Sequence, residues 1–179
     1  TIMYMDVKMD SGDIISSRET EITDSDNLES LYDRMSLIGR DLLLDTLPSI
    51  IEGTNERIKQ DENEVTFGFN IKREEEHIDF NKTSREVFNL IRGLSPIPGA
   101  NAIIDSEEMK IYASRIGDKI NNGNTCGEVC SIYKDGIGIW CSDREIIITD
   151  IKPFGKKRML VNSYLNGIDK NKLIGKVFE

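Results

Sequence analysis

Histidine and cysteine are nearly absent from this chain of 179 residues. His77 is the only histidine, and the three cysteines, Cys126, Cys130 and Cys141, are an odd number with no Cys-x-x-Cys spacing and no histidine nearby. That set argues against a disulfide framework and for a reducing cytoplasm. It leaves the cysteines as structural thiols rather than zinc ligands, and no metal is expected. No run of 18 apolar residues occurs, so a transmembrane helix is excluded and no membrane partner is expected. Residues at the amino end show no basic region followed by an apolar core, so no signal peptide is visible. The chain opens at Thr1 directly in an apolar run, and a natural amino-terminal part is expected to precede it. Internal repeats and low-complexity segments are missing as well.

Apolar residues make up 38% and charged residues 31%, a globular balance with a well-solvated surface. The net charge of -9 is unevenly spread. Residues 1–70 hold six basic and sixteen acidic residues, whereas residues 71–179 hold seventeen and sixteen. From Ile151 onward seven basic residues face only two acids. A polyanion needs one basic face and not a basic protein, because phosphates are neutralised locally.

Pattern divides the chain in three. "TIMYM" (1–5) and "GDIISSRETEI" (12–22) predict two strands. "TDSDN" (23–27) offers several N-caps for helical residues Leu28, Leu31, Met35, Ile38 and Leu42, with Gly39 expected to break this stretch into two helices that end at Gly53. Residues 54–70 are polar and aperiodic and predict a linker. "KTSREVFNLIRGL" (82–94) predicts a helix capped by Thr83 or Ser84, with Val87, Leu90, Ile91 and Leu94 on one face, stopped by "SPIPG". Beyond it "ANAII", "MKIYASRI", "TCGEVCSIY", "GIGIWC" and "EIIITDI" are short β-rich runs between turns, which predict a small barrel. A short helix around Leu160–Asn166 follows.

Two stretches carry candidate chemistry. In "MDSGDI" (9–14) Asp10 is either a turn former, since Asp before Ser-Gly makes an Asx-turn, or a carboxylate displayed at a strand end. Asp13 begins the next strand. "GKKR" (155–158) is either solvated surface or a basic strip of the kind small barrels present to RNA. His77, among the charges of "REEEH", is expected to be exposed. "GIG" (136–138) lacks a following helix and reads as strand, not as a dinucleotide loop.

Taken in order, these pieces resemble the methionyl-tRNA formyltransferase family. "TIMYMDVKMDSGDII" resembles the last catalytic loop of the formyltransferase domain, and "DLLLDTLPSIIEGT" with "QDENEVTF" its closing helix and linker. "IDFNKTSREVFNLIRGLSPIPGA" resembles the entry to the C-terminal domain, although tryptophan is more usual than Phe80 and Ile97. "DIKPFGKKRM" followed by "YLNG" resembles the last barrel strand and helix. The fold this implies is α+β: the edge of an α/β Rossmann-like formyltransferase domain (1–53), a linker (54–70) and an OB-like β-barrel (71–179).

The resemblance also implies a function. Formyl passes from 10-formyltetrahydrofolate, the donor, to the amino group of initiator methionyl-tRNA in a cytoplasmic, monomeric enzyme. An Asn, a His and an Asp hold the tetrahedral intermediate in such enzymes, and Asp10 matches the Asp. The Asn and His have no counterpart after Thr1, and His77 lies in the wrong motif, so the 179-residue chain alone is expected to be inactive. Lys156, Lys157 and Arg158 are implied tRNA contacts, with Lys72 and Arg73 near the domain junction. The alternatives are a non-catalytic RNA-binding OB-like module and a sugar-nucleotide formyltransferase.

Overall fold

Ile2 and Met3 form a short strand, β1, antiparallel to β2 (Ile14–Ser16) in the computed structural model, which describes residues 1–179. The chain divides into two units, Thr1–Asn70 and Ile71–Glu179. Both strands are shorter than the sequence runs predict. A strand persists only where a neighbour pairs with it. Here β2 has two residues of β1 on one edge and Ile58 on the other, through the paired bonds Ile14 N–H to Ile58 O at 2.8 Å and Ile58 N–H to Ile14 O at 2.9 Å. The stretch expected to be linker thus begins by returning along this hairpin.

Helix α1 (Leu28–Glu52) is a single 25-residue element and does not break at Gly39, contrary to the sequence expectation. An interior glycine costs about 1 kcal/mol relative to alanine. Strong ends offset that cost. Asn27 accepts from the Ser30 N–H at 2.9 Å while the Ser30 hydroxyl accepts from the Asn27 N–H at 3.1 Å, and Gly53 ends the helix at φ 69°. Leu42 and Thr46 are the buried positions, and the Thr46 hydroxyl meets that of Ser16 on β2 at 2.7 Å.

Just before the cap, the buried Asp26 carboxylate receives the Arg34 guanidinium at 2.7 and 2.9 Å and the Thr23 N–H at 2.7 Å. The Arg34 hydrogen bonds hold its carboxyl well below the usual carboxylate range. A depressed folded-state pKa adds stability that is complete above the unfolded value, near 3.8, and is lost as pH falls through the folded value. Asp26→Asn is therefore expected to lower the denaturant midpoint of the first unit at pH 7. The gap from the parent should close progressively below about pH 4. A gap that is constant down to pH 2 would show that the charge of Asp26 contributes nothing.

In the second unit, α2 (Ser84–Gly93) starts at the expected cap: Thr83 and Glu86 satisfy one another's backbone N–H groups. Asp143 fixes this end through the Ser84 N–H at 2.7 Å and hydroxyl at 3.0 Å. Val87, Ile91 and Leu94 are buried against the sheet. The strands are β3 (Ala100–Ile104), β4 (Glu107–Ile120), β5 (Val129–Ile132), β6 (Ile137–Trp140), β7 (Arg144–Lys152) and β8 (Met159–Leu160), and α3 (Val161–Leu165) follows. All pairings are antiparallel, in the order β3-β4-β7-β6-β5, with β8 also on β7.

The named strands do not close into a barrel, because β3 and β5 do not pair with each other. The carboxyl-terminal residues span the gap. Ile103 and Glu179 exchange both backbone bonds at 2.6 and 2.8 Å. On the other side Val129 N–H donates to Lys176 O and Phe178 N–H to Gly127 O, at 2.8 and 2.9 Å. Both sheet edges are thereby satisfied. Inside lie Ile111, Ile137, Ile139, Ile146, Ile148 and Ile151, each at most 1% exposed. Their β-branched side chains suit a pleated surface buried on its inner face.

Candidate functional site

The Asp10 loop joins β1 to β2. Asp10 is exposed and sits in the left-handed region at φ 57°, a conformation that Asp and Asn tolerate better than most residues. Gly12 is buried where the chain passes over Tyr4, and a Cβ there would lie 1.7 Å from the Tyr4 carbonyl oxygen. No side chain fits, so glycine is obligatory. The Tyr4 N–H donates to the Asp13 carbonyl at 3.0 Å. The ring carries Arg57 at 3.8 Å, and its hydroxyl donates to Asn55 at 3.0 Å. The Gln60 amide donates to the carbonyls of Asp10 and Gly12, both at 2.8 Å. The result is an exposed carboxylate displayed on a loop pinned from two sides.

The second candidate lies in the second unit, around the turn after β7. A groove of about 380 Å³ is lined by Glu108, Lys110, Lys152, Pro153, Phe154, Gly155 and Lys156. The Lys156 ammonium stands 5.8 Å from the centre of the Tyr164 ring, and Phe154 is 67% exposed. Lys152, Lys156 and Lys157 are exposed, and none of the three forms an ion pair. Exposed cations beside an open aromatic face suit phosphates and bases.

The remaining basic residues of the sequence reading behave differently. Arg158 places its guanidinium on Asp150, with bonds of 2.7, 3.0 and 3.1 Å, and stacks 4.3 Å from the Tyr112 ring centre. Arg73 is held between Glu76 and Glu108. Both arginines are solvent-exposed but paired with carboxylates, and Lys72 is exposed as well. His77 is exposed as expected but not without a neighbour, for its Nδ1 lies 3.1 Å from Asn101 Oδ1. Burial pushes the Cys130 thiol up to about 11 and the Cys141 thiol up to about 12, which leaves both protonated and unreactive at neutral pH.

Four residues escape the sequence reading. Lys152 and Phe154 stand inside the quoted "DIKPFGKKRM" and carried a visible signal as a Lys-Pro-Phe step before the basic run. Lys110 shows only as a polar position between the buried Met109 and Ile111, and it is tied to Glu76 at 3.6 Å. Gln60 opens the quoted "QDENEVTF", but nothing local shows its contact with the Asp10 loop, because its partners are 50 and 48 positions away.

Sequence and fold comparisons define the class. Residues 70–169 match the family model described as formyl transferase, C-terminal domain, and the chain belongs to that family. Among individual relatives, it is 46% identical over 177 residues to the methionyl-tRNA formyltransferases of Staphylococcus aureus strains MW2 and Newman. Those alignments cover 98% of this chain and 56% of the relative, so the chain spans about half the length of the proteins it matches.

Solved structures agree in fold. HypX from Aquifex aeolicus, in complex with tetrahydrofolic acid, matches with a TM-score of 0.68 at 16% identity over 91% of this chain and 29% of that one. An N-formyltransferase from Helicobacter canadensis, solved with folinic acid and dTDP-3-aminofucose, matches with a TM-score of 0.63 at 23% identity over 88% of this chain and 54% of that one.

Proposed function

We propose that the protein containing this chain transfers a formyl group from 10-formyltetrahydrofolate to the amino group of initiator methionyl-tRNA, in the cytoplasm and as a monomer. The observation that carries the reading is 46% identity, across both units, to methionyl-tRNA formyltransferases. Residues 1–53 belong to the catalytic domain and contribute Asp10, whose carboxylate orients an imidazole that stabilises the developing oxyanion. Residues 54–70 connect it to an OB-like tRNA-binding domain, 71–179. There Lys156 and Lys157, with Lys152 beside them, contact the tRNA backbone, and Phe154 offers a stacking face. Arg158, Lys72 and Arg73 make smaller contributions, since Arg158 and Arg73 already face carboxylates.

The test is a formyl-transfer assay on the full-length protein with the folate donor and two acceptors, initiator methionyl-tRNA and an amino-sugar nucleotide. Formylation of the tRNA alone is expected. Transfer to the sugar instead would assign a sugar-nucleotide formyltransferase, and tRNA binding without transfer to either acceptor would assign a non-catalytic RNA-binding module.

The basic face adds a quantitative expectation. Replacing Lys152, Lys156 and Lys157 together by Ala should flatten the plot of log K for tRNA against log salt, by about 0.9 or less for each lost phosphate contact. Arg158→Ala should change that slope less and lower thermal stability more, because it removes the Asp150 and Tyr112 contacts. An unchanged slope in the triple variant would return these lysines to plain solvated surface.

A further inference from the structure

We propose that Gln60 is a positioning residue for the Asp10 carboxylate, so that the segment leaving α1 sets the geometry of the catalytic loop. The inference rests on the reading of Asp10 as a catalytic group. Its basis is a two-point clamp. Both neighbours of the Gln60 amide are carbonyl oxygens, at 2.8 Å each, so the atom between them is nitrogen and both of its hydrogens are used. The clamp grips Asp10 and Gly12, the residues on either side of Ser11, and so fixes the peptide planes that flank the loop's tip.

The clamp acts on a loop that carries a left-handed residue. Three non-glycine residues have positive φ: Asp10, Asp105 and Ser106. The last two are the two-residue turn between β3 and β4, where a hairpin demands that conformation. Asp10 lies in the ten-residue connection from β1 to β2, within a turn at Met9–Asp10 whose second central position takes the positive φ. The turn alone leaves the peptides on either side of Ser11 free to rotate, so contacts from its surroundings are what hold the loop in one conformation. The surroundings come from two sides. Tyr4 lies beneath Gly12, and residues 55–60 lie alongside, with Asn55 and Arg57 on Tyr4, Ile58 paired with Ile14, and Gln60 on the loop. Gln60 is the member of that set that touches Asp10 itself. Without its two donors, both carbonyls turn to water and the loop samples other conformations.

The experiment is a double-mutant cycle on the full-length protein, with kcat and KM measured separately for the folate donor and methionyl-tRNA. Gln60→Met keeps the length and removes both donors. It is expected to lower kcat by about 10- to 100-fold, the scale on which a misplacement of about 1 Å acts. Both KM values should stay within about twofold, a split that mere loss of folded protein does not produce. On an Asp10→Asn background the same change should lower kcat by less than about threefold, because residues acting through one group are not additive.

Parental kcat in Gln60→Met alongside a large loss in Asp10→Asn would overturn the proposal and leave the reading of Asp10 standing. Parental kcat in Asp10→Asn would instead remove that reading. Losses that multiply in the double variant would show that Gln60 acts apart from Asp10, which also overturns the proposal. Should Gln60→Met fail to fold, Gln60→Asn, one methylene too short to bridge both carbonyls, takes its place in the same cycle.

Discussion

Asp10→Asn in the full-length protein is expected to lower turnover by about 10²–10⁴-fold, the range of single acid–base and oxyanion partners. The substitution isolates charge from shape. Asparagine has nearly the same size and accepts the left-handed backbone at φ 57° as readily as aspartate, so the loop and the Gln60 clamp should persist. On the proposed reading of Asp10, what disappears is the negative charge that would keep an imidazole beside it protonated and oriented. Turnover within about threefold of the parent, under 1 kcal/mol of barrier, would make Asp10 a turn former only. The KM for methionyl-tRNA should be little altered, because the candidate tRNA contacts lie in the second unit.

The second large effect is expected in the interior of the sheet. Glu145 on β7 is 1% exposed, accepts from the Tyr133 hydroxyl at 2.7 Å and lies 3.6 Å from the Cys130 sulfur. Two glycines make room for it. A Cβ on Gly117 would fall 2.3 Å from its Cγ, and one on Gly138 would fall 2.6 Å from its Oε2 and 3.1 Å from the Ser131 Cβ. A buried carboxylate held by a hydrogen bond cannot swing away without leaving polar groups unsatisfied. Gly138→Ala should therefore destabilise the second unit by about 1–3 kcal/mol, the usual range for overpacking. In a unit of this size each kcal/mol lowers Tm by roughly 4–8 °C. Glu145→Ala removes the obstacle, so adding Gly138→Ala to it should cost clearly less than Gly138→Ala does in the parent. Strict additivity by thermal or denaturant unfolding would show that the glycine is needed for some other reason.

Much of the second unit was legible in advance because its signals are short-ranged. Thr83 with Glu86 announces a helix start, Val87, Ile91 and Leu94 mark its buried face, and the β-branched runs at 100–104, 137–140 and 144–152 become strands. Each signal lies within a window of a few residues, where propensity and period act. The Asp10 motif and the "GKKR" strip were visible in the same way, as contiguous stretches whose residue types suggest a chemistry.

What the tertiary structure decided depends on partners far apart in the chain. Cooperative helix formation and the Asn27 and Gly53 ends carry α1 through Gly39, against the local signal. The final five residues bridge β3 and β5, where the strand pattern alone suggested a small barrel. Arg158 and Lys157 are adjacent in sequence and both exposed, yet one faces Asp150 and Tyr112 while the other forms no ion pair. Glu145 opens a strand as if on its surface and ends inside it. Sequence by itself determined which residues could form elements and which could carry charge to a partner. Packing determined which charges remain available and which backbone is held, because a hydrogen bond such as Gln60 to Asp10 joins residues 50 positions apart. Local propensity is blind at that range, and only the folded chain brings the two together.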